Sequence, residues 1–294
     1  IMVLTPCCNQ NAIQNYRHCQ SMKTLAFRPD SLNNRRATLQ SLAAVLLMPV
    51  LSTAHAQLAV STAINRTARF RALSQRIAKT YCQIHLHTLP DQARLALTAT
   101  RQLVRSGFED LAKVQWPAEL ARHVTEIQKQ SDVLDTLLVM PPTRESVAAV
   151  AVQADRMMAA SQAATEAFEK FAKANTAKLV NTAGRQRALS QRLAKNYFLL
   201  AAKLESKGTL DEMKADAAEF RLAMVNLAAA PISTPAIRNE LALGDSQWLF
   251  FDAALQRKPD ERGLETVGTT SERLLEVTDR LTVLYDAALK EVLG

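Results

Sequence analysis

The sequence predicts an all-α protein: two tandem four-helix bundles joined by a long shared helix. Three observations predict it. Helix-favouring residues dominate while aromatics make up only 5% and glycines number 7 in 294 residues, so the chain is rich in side chains that lose little freedom in a helix. Prolines and one glycine cut the chain into segments of helical apolar spacing with no alternating strand pattern. A 17-residue motif also occurs twice, 116 residues apart.

The N-terminal stretch is expected to lie outside the folded modules. The sequence opens on Ile1, and Met22 is the natural candidate for the initiator. From there a basic region ends in Arg35-Arg36, an apolar run covers Leu39 to Ser52, and Ala54-His55-Ala56 fits a small-x-small cleavage site, the three parts of an export signal. Cleavage would leave Gln57 first. Arg35-Arg36 resembles a twin-arginine signal, with Thr38 where Phe is usual; an ordinary Sec signal fits as well. The run is shorter than the ~20 residues a spanning helix needs and contains Pro49, so an uncleaved anchor is disfavoured. The expectation is a soluble periplasmic protein.

Charge and cysteines narrow the function classes. From Gln57 onward there are 31 basic and 27 acidic residues, a net +4, too weak a bias to argue for nucleic acid. Cys7, Cys8 and Cys19 precede Met22, which leaves Cys82 as the lone thiol of the folded part and no internal disulfide there. Stability must come from packing.

Pro90, Pro117, Pro141-Pro142, Gly208, Pro231 with Pro235, and Pro259 separate expected helices at about 58–89, 91–115, 118–140, 144–206, 209–230, 235–257 and 260–293. The fourth, about 63 residues without a proline, would extend on the order of 95 Å. The repeat accounts for it. Asn65 to Tyr81 recurs as Asn181 to Tyr197 with 11 of 17 positions identical, and Asp155-Arg156-Met157-Met158 aligns with Glu272-Arg273-Leu274-Leu275 at a spacing of 117. Such self-similarity marks a duplicated unit. The domains read as an upstream extension with export signal (1–56), module 1 (57–173) and module 2 (174–294), the last helix of one running into the first helix of the next near residue 174.

On a helix, Phe70, Leu73, Ile77, Tyr81 and Ile84 share one stripe, as do Leu189, Leu193, Tyr197 and Leu200, and both stripes should face the core. Arg71, Gln75 and Lys79 form a second stripe, matched by Arg187, Gln191 and Lys195. Small residues Ser74, Ala78, Ser190 and Ala194 lie between the stripes and would let a second helix or a small ligand approach. Arg69 with Arg76, and Arg185 with Arg192, point farther from the core. A guanidinium offers a planar fork of donors suited to a flat oxyanion, which a nearby amide or ammonium could complete. Ordinarily such residues are solvated or paired with acids on a neighbouring helix, but both copies keep Arg-x-Arg-x-x-Ser-Gln-Arg.

The stretch Asn181-Thr182-Ala183-Gly184-Arg185-Gln186-Arg187-Ala188-Leu189-Ser190-Gln191-Arg192 resembles the signature of the PilJ-type sensor domain, the extracytoplasmic N-terminal domain of type IV pilus methyl-accepting chemotaxis transducers. The first copy resembles it too, with Ala68 and Phe70 where Gly184 and Gln186 match the family. The signature is also similar to the sensing segment of nitrate-responsive sensor kinases, in which an arginine of the first helix grips nitrate. That resemblance implies a ligand role for Arg187 and Arg71, with Gly184 near the ligand. Gln75, Gln191, Lys79 and Lys195 are the expected supporting residues.

Enzymatic signatures are lacking: there is no Gly-rich phosphate loop, no His-Glu-x-x-His and no zinc-type Cys pair, so neither catalytic residues, a metal nor another cofactor is expected. His85 and His87 point in different directions on a helix. Asp245, Ser246 and Trp248 beside Gly244 could touch a ligand, although Trp248, Leu249, Phe250 and Phe251 read better as core or an interface with the other module. Two functions compete. One is an exported sensory or binding accessory protein that captures a small anion such as nitrate or nitrite and presents it to a membrane sensor or transporter. The other is a periplasmic scaffold that binds another signalling or membrane protein. Nucleic acid is not an expected partner, and a homodimer is one way for the motif helices to meet.

Overall fold

The structure is a computed structural model that describes residues 48–173 and 175–293, side chains of 48–58, 175, 176, 292 and 293 excepted. Eight helices make up the described residues: α1 Met48–His85, α2 Pro90–Ala112, α3 Ala118–Leu137, α4 Arg144–Ala172, α5 Asn175–Ala201, α6 Thr209–Ala228, α7 Pro235–Leu255 and α8 Glu261–Leu293. Of the expected export signal, residues 22–47 lie outside the described residues, and residues 48–56 form the first turns of α1. No described helix is long and apolar enough to cross a membrane.

The expected 144–206 helix is two helices. α4 ends at Lys173, whose φ of 52° is left-handed, and α5 runs back alongside it. Asn181 donates to Glu169 across the turn, Lys195 reaches Asp155, and Arg144 at the start of α4 donates to the carbonyls of Ala202 and Lys203 beyond the end of α5. Neither proline nor glycine marks this reversal. Its cause is tertiary, because only a reversal brings α5 against α1.

α4 is likewise antiparallel to α1, since Tyr81 bonds Ser146, Arg71 bonds Gln162 and Thr67 meets Thr165. α1 and α5 therefore run parallel. α8 is antiparallel to α1 through Ser61 with Asp286, Arg69 with Asp279 and Lys79 with Glu272. Thus α1, α4, α5 and α8 form a central four-helix bundle, to which module 1 and module 2 each give two helices. α2 packs on α1, α3 on α4, α6 on α5 and α7 on α8.

A pseudo-twofold axis relates the modules. α1 and α5 end alike: His87 and Lys203 are left-handed, with Thr88 N donating to Gln83 O at 3.0 Å and Leu204 N to Leu199 O at 2.8 Å, the closing bond of a Schellman cap. Tyr81 OH donates to the Met140 carbonyl, and Tyr197 OH to the equivalent Arg257 carbonyl. Phe70, Met157, Phe168, Phe198, Leu274 and Tyr285 are all buried in one continuous core. Burying each such large side chain contributes on the order of 2–3 kcal/mol.

Both apolar stripes face this core as expected, Ile84 and Leu200 at its edge. Trp248 and Phe251 are buried too, Trp248 stacked on Phe220 with ring centroids 4.2 Å apart. Leu249 and Phe250 are not core: they are 70% and 64% exposed, because the helical period turns them away from α6 and α8.

Candidate functional site

The two copies of the motif pack against each other, α1 on α5. α1 and α5 meet where Ala68 faces Gly184, and there is no room for a second methyl group. A Cβ built on Gly184 would stand 2.9 Å from the Ala68 Cβ. One of the two facing positions must be glycine for the helices to come this close, which explains why the copies differ here.

One turn further along each helix stands its arginine. Arg71 and Arg187 are each only 1% exposed. Their Nη2 atoms lie 3.5 and 3.2 Å from the point a Gly184 Cβ would occupy, so two buried guanidiniums from parallel helices converge over the glycine. Each also crosses the axis: Arg71 Nη2 donates to the Asn181 carbonyl at 3.2 Å, and Arg187 Nη2 to the Asn65 side-chain oxygen at 3.1 Å. Ser74 and Ser190 bond back to the Arg71 and Arg187 carbonyls at 2.9 Å.

Electrostatics separate the pair. Burial, with Arg185 and Arg187 nearby, pushes the Arg71 pKa down to about 9. Burial lowers Arg187 also, but the Asp279 carboxylate 2.7 Å from its Nη1 works against that. Burial alone would raise Asp279; Arg187 and Arg69 outweigh it and hold the carboxyl below its ordinary value. The Arg187 Nε is buried without a hydrogen-bond partner among the described residues. A buried donor left unpaired is costly.

The remaining expected site residues line the same seam farther on. Gln75 Nε2 donates to Asp155 at 3.0 Å and Lys195 Nζ to the same oxygen at 2.5 Å. Lys79 Nζ reaches Glu272 at 2.5 Å and Ser271 Oγ at 3.0 Å, and Gln191 Nε2 donates to the Ser271 carbonyl at 3.0 Å. Each lysine thus engages the acid of the other module, cross-linking the two. Lys79 stands eight residues beyond Arg71, about 12 Å along the helix, so the lysines and glutamines do not join the arginines in one pocket. The buried Gln75 and Gln191 carbonyls lack partners among the described residues.

The outer arginines are paired: Arg69 with Asp279, Arg76 with Glu272, Arg185 with Glu219 and Arg192 with Asp216. A cavity of about 140 Å³ opens beside Arg187, lined by Arg69, Arg76, Glu272 and Asp279, large enough for a small ion but as acidic as it is basic. Sequence reasoning did not find Asp279, Gln162 and Glu219. They stand on other helices, and no local pattern marks them. Among the described residues, no cluster of His, Cys, Asp and Glu could hold a metal. His85 Nδ1 lies 2.8 Å from the Pro142 carbonyl, and His87 is exposed. Asp245 and Ser246 stand on α7, which packs on α8 and α6, away from the arginine pair.

No curated protein and no solved structure matches the chain. Residues 171–261, which span α5 with the second arginine motif, all of α6 and α7 and the first residue of α8, match the model of the PilJ family, described as the type IV pili methyl-accepting chemotaxis transducer N-terminal domain, and over that span the chain is similar to it.

Proposed function

We propose that this protein is a non-enzymatic sensory protein of the periplasm that binds a small oxyanion, nitrate or nitrite being the leading class, at the buried guanidiniums of Arg71 and Arg187. The observation that carries the reading is the convergence of two buried guanidiniums on one glycine at a pseudo-twofold axis, with the Arg187 Nε unpartnered. Buried cations that face each other repel when the site is empty, and an anion accepting from one of them would relieve that repulsion. The PilJ match supports a sensory role. Binding at the seam between modules would bias how tightly they pack, which is how such a site reports occupancy to a membrane sensor or transporter.

Thermal melting of the purified chain against nitrate, nitrite, sulfate, phosphate and chloride tests this. At 100 times Kd a ligand adds about 2.7 kcal/mol, a rise of roughly 5–10 °C for a chain of this size. Arg71→Met with Arg187→Met should abolish the rise, Arg69 remaining as the counter-charge of Asp279, and circular dichroism of the double variant checks that it folds. A double variant that responds as the parent does would refute the site.

A second reading, the scaffold that binds another signalling or membrane protein, has one observation in its favour. Leu222 and Val225 of α6 and Leu249 and Phe250 of α7 are large apolar side chains left exposed. It expects no anion response and a stable protein complex recovered by crosslinking.

A further inference from the structure

The two halves of the arginine site differ by one side chain. The spacing of 117 that aligns 155–158 with 272–275 also takes Gln162 to Asp279. Both positions receive two guanidiniums, in pseudo-equivalent ways. Arg187 Nη1 and Arg69 Nη2 donate to Asp279 at 2.7 and 2.8 Å. Arg71 Nη1 and Arg185 Nη1 donate to Gln162 Oε1, the latter at 3.3 Å. One half is closed by a carboxylate, and the other by a neutral amide.

The amide leaves one guanidinium without a carboxylate in contact. Arg185 finds a carboxylate in Glu219, through both Nε and Nη2. Arg71, more deeply buried, makes no salt bridge among the described residues; its other bonds go to the neutral carbonyls of Ala68 and Asn181 at 3.3 and 3.2 Å. A guanidinium whose hydrogen bonds all go to neutral acceptors recovers only part of its desolvation cost, here from the charges of Glu166 and Glu219, which form no ion pair with it among the described residues. Gln162 itself is half-buried at the rim, its Nε2 bonded to the exposed Glu166 at 2.6 Å. The side chain can swing outward without opening the core.

We propose that only this half admits the anion: one monovalent oxyanion displaces the Gln162 amide oxygen and takes, beside Arg71 and Arg185, the place the Asp279 carboxylate holds beside Arg187 and Arg69. The inference rests on the anion-binding reading above and deepens it. Gln162 becomes the residue that sets stoichiometry and selectivity. One carboxylate answers the equivalent arginine pair, so one negative charge suffices here. A dianion such as sulfate would bring a second charge toward Glu166, which bonds Gln162, and Glu219, which bonds Arg185. Asp279 plays the part of a built-in ligand that keeps the other half shut.

Isothermal titration of the full chain with potassium nitrate and with potassium sulfate decides it. The expected result is one nitrate per chain and no measurable sulfate binding. Gln162→Glu, which makes the halves alike in charge, should weaken nitrate at least tenfold and raise the melting temperature without nitrate; Gln162→Leu, uncharged, should keep nitrate binding within a few-fold of the parent. Nitrate binding unchanged in Gln162→Glu but lost in Arg71→Met would overturn this inference and leave the broader site standing. No response of the parent chain to any anion would overturn both. Should Gln162→Glu not fold, Asp279→Gln decides: two nitrates per chain support the proposal, and one per chain overturns it.

Discussion

Exchanging the residues at the crossing of α1 and α5 tests the pseudo-symmetry directly. Gly184→Ala places a methyl 2.9 Å from the Ala68 Cβ, about 0.6–1 Å inside ordinary carbon contact. Neither carbon can rotate away, since each is fixed to its helix backbone. The helices must therefore separate at their closest point, which also disturbs the guanidiniums above it. Overpacking of this kind costs about 1–3 kcal/mol, while replacing a mid-helix glycine returns about 1 kcal/mol. The net expectation is a loss of about 0–2 kcal/mol. Ala68→Gly alone should cost about 1 kcal/mol through propensity and the lost contact. The double exchange puts the glycine on the other helix and keeps one methyl at the crossing, so it should lie within about 0.5 kcal/mol of the parent. The single costs then fail to add by about 1–3 kcal/mol, a coupling that urea denaturation of the four proteins measures. Additive effects would refute the claim that these residues share one steric slot.

Two further outcomes follow. Burial would raise the Glu272 pKa, but Lys79 and Arg76 more than reverse it and draw it down to about 2; a depressed carboxylate contributes stability that is complete above the unfolded value and lost as pH falls through the folded one. Stability should therefore decline between about pH 5 and pH 2 by up to about 3 kcal/mol from this group, less by solvent screening of its partly exposed side chain, and Glu272→Gln should flatten that part of the pH profile. Cys82 is buried, and burial pushes its thiol up to about 12; site-resolved alkylation at pH 8 should leave it unlabelled until urea unfolds the chain, whereas rapid native labelling would mean that α1 opens locally.

Much of this fold was legible in the chain because its signals are local. Pro90 and Pro235 open helices at their first position, Thr143 caps α4, and the apolar stripes sit in the core as their spacing requires. The repeat announced equivalent modules. The reversal at Lys173 was not legible, since a lysine adopts the left-handed region there only because pairing of α5 with α1 requires it. The burial of Arg71, Gln75 and Lys79 was equally hidden. Periodicity reads long polar side chains as a surface, and here a second copy of the motif covers them. The counter-charges Asp279 and Glu272 are supplied from α8, about 200 residues beyond the α1 cations they answer.

The covalent link between α4 and α5 makes the two arginine helices parts of one molecule. Two separate copies of a module would meet with identical faces, so any residue closing one side of their shared site would close the other as well. A covalent link removes that constraint and makes the association independent of protein concentration. A fused pair can carry an acid on one side and an amide on the other, a division of labour that no self-associating chain with exact symmetry can encode.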